Sequence, residues 1–177
     1  MNVSFLKPPI GGIIGLEMIT FVEPLGLECV AGALEVAGHR CQILDLRLED
    51  ADQAMSKLRA FEPQIVGLQC NFTTERYRAL RLAQRVKEQL PEVMVVIGGH
   101  DASRDPEWFV HPAVDVVAVG DGEEILPALA TAVDRGQPLD SVPGLMLVTP
   151  DGPVHTGHAP ARSELDDLPM PARHLIR

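Results

Sequence analysis

The sequence predicts an α/β fold, a doubly wound parallel sheet of the flavodoxin-like (Rossmann-type) class. Short apolar runs rich in Val and Ile alternate along the chain with longer segments of helical periodicity. The run from Val93 to Ile97 stops at Gly98 and Gly99, as expected for a strand that is covered on both faces and then turns sharply. Five such units with short connections favour the strand order 2-1-3-4-5, followed by a C-terminal hairpin and a linker.

The predicted strands are short apolar runs bounded by turn residues. They lie at Asn2–Leu6, Cys41–Leu46, Gln64–Gln69, Val93–Ile97 and Val114–Val119. A small hairpin is predicted after them, because Pro150-Asp-Gly152 is a strong turn signal between two further apolar runs. Its strands are Val142–Val148 and Val154–Thr156.

The predicted helices are recognised by their ends and by their apolar spacing. The first has Pro24 near its start and Gly38 as its stop, which is the usual asymmetry of helix termini. The others lie at Asp50–Ala60, Glu75–Leu90, Asp105–Val110 and from the Gly120 turn to Arg135. For the helix from Glu75, we expect Thr73 or Thr74 as the N-cap. Its basic residues are expected to form a solvated face, and they are Arg76, Arg78, Arg81, Arg85 and Lys87.

Composition excludes several classes of function. The formal net charge of −10 over 177 residues argues against partners that carry phosphate, namely nucleic acids and anionic lipid surfaces. The three cysteines form no C-x-x-C pair, so zinc, iron–sulfur and dithiol redox sites have no support. The sequence has neither a secretory signal nor an apolar run of the roughly 18 residues that span a bilayer, and we expect a cytoplasmic protein with free thiols.

Two segments stand outside the regular pattern. The loop from Ile10 to about Glu23 carries exposed-looking apolar residues, which either meet a ligand or another domain or fold back on their own domain. The stretch from Ala159 to Arg177 is rich in Pro, Asp and Arg and has little to bury. We expect it to be a linker, or an arm that packs on something outside this chain.

The unusual residues all fall at the carboxyl ends of the predicted strands, where doubly wound sheets bind ligands. They are the loop from Lys7, the turn Gln69–Thr74, the segment Gly98–Ser103 and the segment Gly120–Glu123. A dinucleotide-binding turn is not supported, because Gly11-Gly12-Ile-Ile-Gly15 does not match G-x-G-x-x-G. Four side chains are candidates for acid–base chemistry or for simple helix capping, and they are His100, Asp101, Asp121 and Glu123.

A set of short motifs carries a resemblance to a known family. They are Glu23-Pro-Leu-Gly-Leu-Glu28, Ala37-Gly-His39, Ile43-Leu-Asp-Leu46, Ile65-Val-Gly67, Val96-Ile-Gly-Gly-His100, Val119-Gly-Asp-Gly-Glu123 and Asp166-Asp-Leu-Pro-Met-Pro171. In order and spacing they resemble the N-terminal cobalamin-binding domain of cobalamin-dependent radical SAM enzymes. Three segments are most similar to the hopanoid-methylating branch, namely Glu23-Pro-Leu-Gly-Leu-Glu28, Cys70-Asn-Phe72 and Gly98-Gly-His-Asp-Ala-Ser103.

The resemblance implies a cofactor site and a division of the chain. It implies a corrin lying across the carboxyl edge of the sheet, with its nucleotide tail reaching in beside Gly98 and Gly99. Residues 1–158 would form the cobalamin-binding domain, and residues 159–177 would lead towards a radical SAM barrel in cis. The cofactor-binding residues implied are Pro9, Leu25, Gly26, Gln69, Asn71, Thr73, Gly98, Gly99, His100, Asp101, Ser103, Gly120, Asp121, Gly122 and Glu123.

Two departures from related families limit what this chain is expected to do. The D-x-H-x-x-G loop that supplies a cobalt-ligating histidine elsewhere is absent, and no histidine precedes His39. The resemblance therefore implies base-off cobalamin without a protein ligand on the lower face of the cobalt. The motif C-x-x-x-C-x-x-C is also absent, so S-adenosylmethionine and the 4Fe-4S cluster are expected only in the C-terminal domain. No catalytic residue and no metal ligand is assigned to this chain.

Three functions are weighed on this basis. The leading one is the cobalamin-binding domain of a radical SAM methyltransferase, which holds methylcobalamin for methyl transfer to an unactivated carbon. The second is a stand-alone corrinoid carrier or sensor without catalysis, and it predicts a tail that packs on its own domain. The third is an unrelated flavodoxin-like enzyme of small molecules that uses His100 and Asp121 and binds no corrin.

Overall fold

The computed structural model describes residues 1–9, 22–159 and 165–176. Its strands are β1 (Asn2–Lys7), β2 (Arg40–Asp45), β3 (Ile65–Gln69), β4 (Met94–Gly98), β5 (Val116–Ala118), β6 (Leu145–Thr149) and β7 (Gly152–His155). Within these residues they form one seven-stranded sheet in the order β2-β1-β3-β4-β5-β6-β7. The first five strands pair in parallel, so the predicted order 2-1-3-4-5 is confirmed.

Helices cover both faces of the sheet, and each face has its own apolar core. The helices are α1 (Leu25–Val36), α2 (Ala51–Phe61), α3 (Arg76–Gln89), α4 (His100–Arg104) and α5 (Gly122–Asp134). Apolar residues of α1 and α5 pack on the face that carries Val3, Phe5 and Val96. Those of α2 and α3 pack on the opposite face, around Leu6 and Val66. This alternation along each strand is what a sheet buried on both sides requires.

The structure extends the predicted sheet at one edge. The hairpin of β6 and β7 joins β5 in an antiparallel arrangement, with Val117 opposite Met146. The parallel part of the fold thus continues into an antiparallel edge, as is common in large mixed sheets. The short helix α4, directly after β4, was not predicted, because the sequence there was interpreted only as a glycine-rich turn. The predicted loop over residues 10–21 lies outside the described residues.

Two expectations about the start of α3 are wrong. Neither threonine caps the helix; residues Thr73–Glu75 form a 3₁₀ turn, and the Glu75 carboxylate accepts the backbone N–H groups of Asn71 and Phe72 at 2.8 and 3.2 Å. Arg76 does not belong to the solvated face. It is buried and pairs with Asp101 and Asp105, because the first turn of α3 faces the loop after β4.

The described part of the tail packs against α1, which corrects the expectation that it has little to bury. Ala172 is 3% exposed, and its N–H donates to the carbonyl of Glu28 at 2.9 Å. Gly32 makes this approach possible, since a Cβ there would stand 2.5 Å from the carbonyl oxygen of Met170. Leu175 adds to the core on the same face of the sheet. A tail that packs on its own domain is what the hypothesis of a corrinoid carrier predicts. The packing of the tail therefore does not favour a radical SAM barrel in cis.

A carboxyl group is buried beneath this tail. Glu28 is fully buried, and neither of its side-chain oxygens has a hydrogen-bond partner. The Nε atom of Arg173, a largely exposed side chain, lies 3.8 Å from Glu28 Oε2. Burial and then the neighbouring charge of Glu23 raise the pKa of Glu28, while Arg173 opposes this effect. The tail therefore packs over a carboxyl group whose ionised form is disfavoured.

We predict that Glu28→Gln raises the stability of the chain at pH 8. A carboxyl with a raised folded-state pKa contributes its full stability below its ordinary pKa, and that stability is lost as pH rises through the folded value. Urea unfolding between pH 5 and pH 8 should show a smaller decline of the midpoint in the variant than in the wild type. Glu35→Gln is the matched control on the same helix, because Glu35 is partly exposed and pairs with His174. A midpoint lowered at every pH would mean instead that Arg173 holds the ionised carboxylate.

Candidate functional site

A cavity of about 400 Å³ opens at the carboxyl edge of the sheet, between the sheet and the helices α1 and α5. Its floor consists of two rows of residues on adjacent strands. Phe5, Gly67 and Val96 are register partners and form the deeper row. Gln69 and Gly98 form the second row, two residues and about 7 Å closer to the strand ends.

The walls of the cavity are the first turns of two helices. On α1 they are Gly26, Leu27 and Val30, and on α5 they are Gly122, Glu123 and Leu126. The two helices touch at the N-terminus of α5, where a Cβ on Gly122 would stand 2.8 Å from Val30 Cγ2. This close approach closes the cavity on the side away from the sheet.

Missing side chains keep the cavity open. A Cβ on Gly67 would stand 2.6 Å from the ring of Phe5, so the ring occupies the space that a larger residue would need. A Cβ on Gly98 would meet only the Cβ of Ala118, at an ordinary 3.6 Å. A larger side chain at Gly98 would thus extend over the floor, whereas glycine and Ala118 leave it free.

The rim of the cavity is polar and depends on one backbone position that only glycine adopts without strain. Gly99 has φ of +116°, and a Cβ there would stand 2.5 Å from Asn71 Oδ1 and 2.6 Å from the Cys70 carbonyl oxygen. Asn71 Oδ1 in turn accepts the backbone N–H of His100 at 3.3 Å. The hydroxyl oxygen of Ser103 accepts the N–H of Gly120 at 3.1 Å, which joins the loops after β4 and β5.

Most of the residues implied by the sequence line this cavity. They are Gly26, Gln69, Asn71, Gly98, Gly99, His100, Ser103, Gly120, Asp121, Gly122 and Glu123. Four do not: Thr73 and Asp101 face a separate ion pair, Leu25 is exposed on α1, and Pro9 is an exposed residue at the end of β1. The lining residues that sequence reasoning missed are apolar or backbone contacts: Phe5, Leu27, Val30, Gly67, Leu68, Val96, Ala118 and Leu126.

Asp101 belongs to an ion-pair network that connects α4 to α3. Its carboxylate accepts hydrogen bonds from the guanidinium of Arg76 and from Thr73 Oγ1 and Arg104. The hydrogen bond from Arg76 above all, followed by those from Thr73 and Arg104, holds the pKa of Asp101 at about 2 although burial opposes the shift. A carboxylate this firmly paired stays ionised and tethers α4 to α3.

Gln69 is a buried lining side chain whose hydrogen bonding is incomplete. The residue is 7% exposed, and its Oε1 atom is buried without a partner. A buried acceptor without a donor costs roughly 1–3 kcal/mol, and a ligand hydroxyl or amide that reaches it recovers this energy. The orphaned oxygen beside the cavity therefore favours a ligand that carries a hydrogen-bond donor.

Two of the three thiols are buried in the core and do not line the cavity. Burial raises the pKa of Cys41 and of Cys70 to about 12, with help from Glu35 and from Glu75 respectively. These thiols stay protonated and are poor nucleophiles. In the part of the chain that the structure describes, no three His, Cys, Asp or Glu side chains come together to hold a metal ion.

Comparison with known proteins identifies the family. A family model described as the B12 binding domain matches residues 12–130, about two thirds of the chain. The chain belongs to the B12-binding domain family. The third hypothesis, an unrelated enzyme that binds no corrin, is not supported by this finding. Of the helices in the described residues, none has the length and hydropathy of a bilayer-spanning segment.

Individual relatives match over nearly the whole of this chain. The hopanoid C-3 methylase of Methylococcus capsulatus is 33% identical over 159 residues, which is 88% of this chain and 30% of the methylase. An anaerobic magnesium-protoporphyrin IX monomethyl ester cyclase of Rubrivivax gelatinosus is 32% identical over 176 residues, 95% of this chain and 31% of the cyclase. The chain thus spans about a third of the length of these relatives.

A solved structure has the same fold. The radical S-adenosylmethionine methyltransferase TsrM from Kitasatospora setae, with cobalamin and a 4Fe-4S cluster bound, matches with a TM-score of 0.75. The identity is 23%, and the match covers 88% of this chain and 30% of TsrM. Together these matches confirm the predicted resemblance to the cobalamin-binding domains of cobalamin-dependent radical SAM enzymes, including the hopanoid-methylating type.

We predict that Gly99→Ala destabilises the chain more than Gly152→Ala does. Both glycines have φ of +116°, but a Cβ on Gly152 meets nothing within 4 Å. The φ angles are thus matched, and the crowding against Asn71 and Cys70 should add roughly 1–3 kcal/mol to the loss at Gly99. Urea unfolding followed by circular dichroism measures both. Equal losses would show that the rim tolerates a side chain at this position.

We predict that Asp101→Asn lowers the urea midpoint at pH 7. A carboxylate with a depressed folded-state pKa stabilises the fold above its ordinary value of 3.8, and the contribution is lost as pH falls towards about 2. The variant should therefore lose less stability than the wild type between pH 4 and pH 2. Asp105→Asn is the control, since Asp105 pairs with the same Arg76 but is about half exposed. An equal effect of both variants would contradict the structural role of Asp101.

Proposed function

We propose that this chain is the cobalamin-binding domain of a radical SAM methyltransferase. The observation that supports it is the cavity floored by Gly67 and Gly98 at the carboxyl edge, in a chain of the B12-binding domain family. Residues 1–158 form the cofactor domain in this proposal, and residues 159–177 lead towards a radical SAM barrel in cis. The three cysteines are free thiols, and we place the protein in the cytoplasm.

The cavity fits the nucleotide tail of a corrinoid. Its volume of about 400 Å³ lies within the range of small-ligand pockets, but a corrin ring together with its nucleotide is much larger. The tail would enter between α1 and α5, beside Gly98, and the ring would lie outside across the carboxyl edge. Gln69 and Asn71 would provide hydrogen bonds near the mouth. Asp121 and Glu123 would contact the tail, since the Asp121 side chain makes no capping hydrogen bond to α5.

The proposed cobalamin is base-off, without a protein imidazole below the cobalt. The sequence has no histidine before His39, and His39 Nδ1 lies 3.4 Å from the N-terminal amine, at the opposite edge of the sheet from the cavity. Among the described lining residues His100 is the one histidine, and its backbone N–H is bound to Asn71. His100 is therefore the residue to change if a histidine-ligated spectrum is observed.

When bound in its methylated form, cobalamin supplies a methyl group for transfer to an unactivated carbon. The residues of this chain bind the tail, orient the ring at the sheet edge and exclude water from the floor. In this proposal the radical SAM barrel binds the 4Fe-4S cluster and cleaves S-adenosylmethionine. The alternative, a corrinoid carrier without catalysis, is favoured by the tail that packs on α1. The methylase and TsrM, by their names, favour the methyltransferase.

We predict that the purified chain retains hydroxocobalamin through desalting and shows a base-off visible spectrum. A base-on spectrum that His100→Ala leaves unchanged would contradict the base-off proposal but keep the ligand. A histidine-ligated spectrum that His100→Ala abolishes would contradict the absence of a protein ligand. Failure to retain the corrin even at high concentration would contradict the proposed function.

We also predict that Gly98→Val weakens cobalamin binding at least tenfold, because the valine branches would extend over the cavity floor. Gly98→Ala is the control, since its Cβ fits at 3.6 Å from Ala118 and should leave most of the affinity. Equilibrium dialysis gives the affinities, and thermal unfolding verifies that both variants fold. Wild-type affinity in Gly98→Val would show that the ligand does not use this cavity.

A further inference from the structure

The cavity changes in polarity along the strand direction. The residues that line its deep half are apolar: Phe5, Gly67 and Val96 on the floor and Leu27, Val30 and Leu126 on the helices. Its polar lining residues lie at the strand ends or beyond them, and they are Gln69, Asn71, His100, Ser103, Asp121 and Glu123. Among the described residues, the deep half therefore offers no side-chain hydrogen bond to a ligand.

We propose that this gradient makes the domain select among corrinoids by the base at the end of the nucleotide tail. The inference rests on the proposed function, and it favours an apolar base such as dimethylbenzimidazole over a polar base such as adenine. The base is the terminal group of the tail and enters deepest. Adenine would bury its amino group and ring nitrogens against Phe5 and Val96, and buried polar groups without partners are unfavourable.

Gln69 marks the boundary between the two halves. It lies two residues along β3 from Gly67, on the same face of the sheet, and its Oε1 atom has no partner. A ribose hydroxyl can donate to this oxygen, whereas a phosphate oxygen or the ring of dimethylbenzimidazole cannot. The position of Gln69 thus matches the ribose, one unit before the base, and leaves the base in the apolar half.

Three corrinoids in the same aqua form test the inference by equilibrium dialysis against the full chain. They are cobalamin, the corrinoid that carries adenine in place of dimethylbenzimidazole, and cobinamide, which lacks the nucleotide. Cobalamin should bind tightest. The adenine corrinoid should bind roughly tenfold to a hundredfold more weakly, the range in which an apolar pocket discriminates against an added polar group. Cobinamide should also bind at least tenfold more weakly.

A polar substitution in the deep half should reduce the selectivity. Val96→Thr is nearly isosteric and places a hydroxyl on the cavity floor, so the ratio of the two affinities should narrow several-fold. Val95→Thr is the matched control, because Val95 is equally buried on β4 but faces the opposite core. It carries the same cost of a buried hydroxyl and should leave the ratio unchanged. Urea unfolding of both variants verifies that they fold.

The outcomes separate this inference from the proposed function. Equal affinity for cobalamin and cobinamide would show that the cavity does not hold the tail, and equal affinity for the two bases would show that it does not select. Either result overturns the inference while corrinoid binding stands. A ratio that shifts as much in Val95→Thr as in Val96→Thr would also overturn it. Absence of binding by all three corrinoids would overturn the proposed function itself.

Discussion

The space left by two glycines on one face of the sheet determines the rest of the site. Towards the amino ends of the strands, Val3 and Ile65 on this face are large and buried, and they hold α1 and α5 against the sheet. Towards the carboxyl ends, Gly67 and Gly98 replace such residues. Close packing then requires that either a neighbour fill the space or a cavity remain. The ring of Phe5 fills part of it, and the remainder is the cavity.

Buried ion pairs fix the loops that frame this cavity. Lys7, at the end of β1, pairs with Glu75 at 2.9 Å, and the same carboxylate accepts the N–H of Asn71. Arg76 pairs with Asp101 on α4. Buried pairs of this kind recover little more than their own desolvation, but breaking one leaves an uncompensated charge. These ion pairs thus fix the relative positions of the ends of β1, β3 and β4 more than they stabilise the fold.

The sequence predicted the strand order and the polar rim but not the apolar half of the cavity. Strand runs and glycine turns are local signals, so Gly98 and Gly99 could be assigned without tertiary contacts. Phe5 and Val96 resemble ordinary core residues, and only the strand register shows that they border a space. The pairing of Asp101 with Arg76 could not be predicted, because the direction of its side chain depends on α4, which was not predicted. The packing of the tail on α1 could not be predicted, because the two segments lie far apart in sequence.

The relatives that match this chain differ in the activities for which they are named. A methylase is 33% identical to this chain and a cyclase 32%, and in each the match covers about a third of the protein. Most of each relative, about two thirds of its length, lies outside the matched segment. Helix α1 contacts both the cavity and the C-terminal tail. Gly26 and Leu27 line the cavity, and Glu28 and Gly32 contact the tail. A single helix thus borders the cavity with its first turns and holds the tail with neighbouring residues.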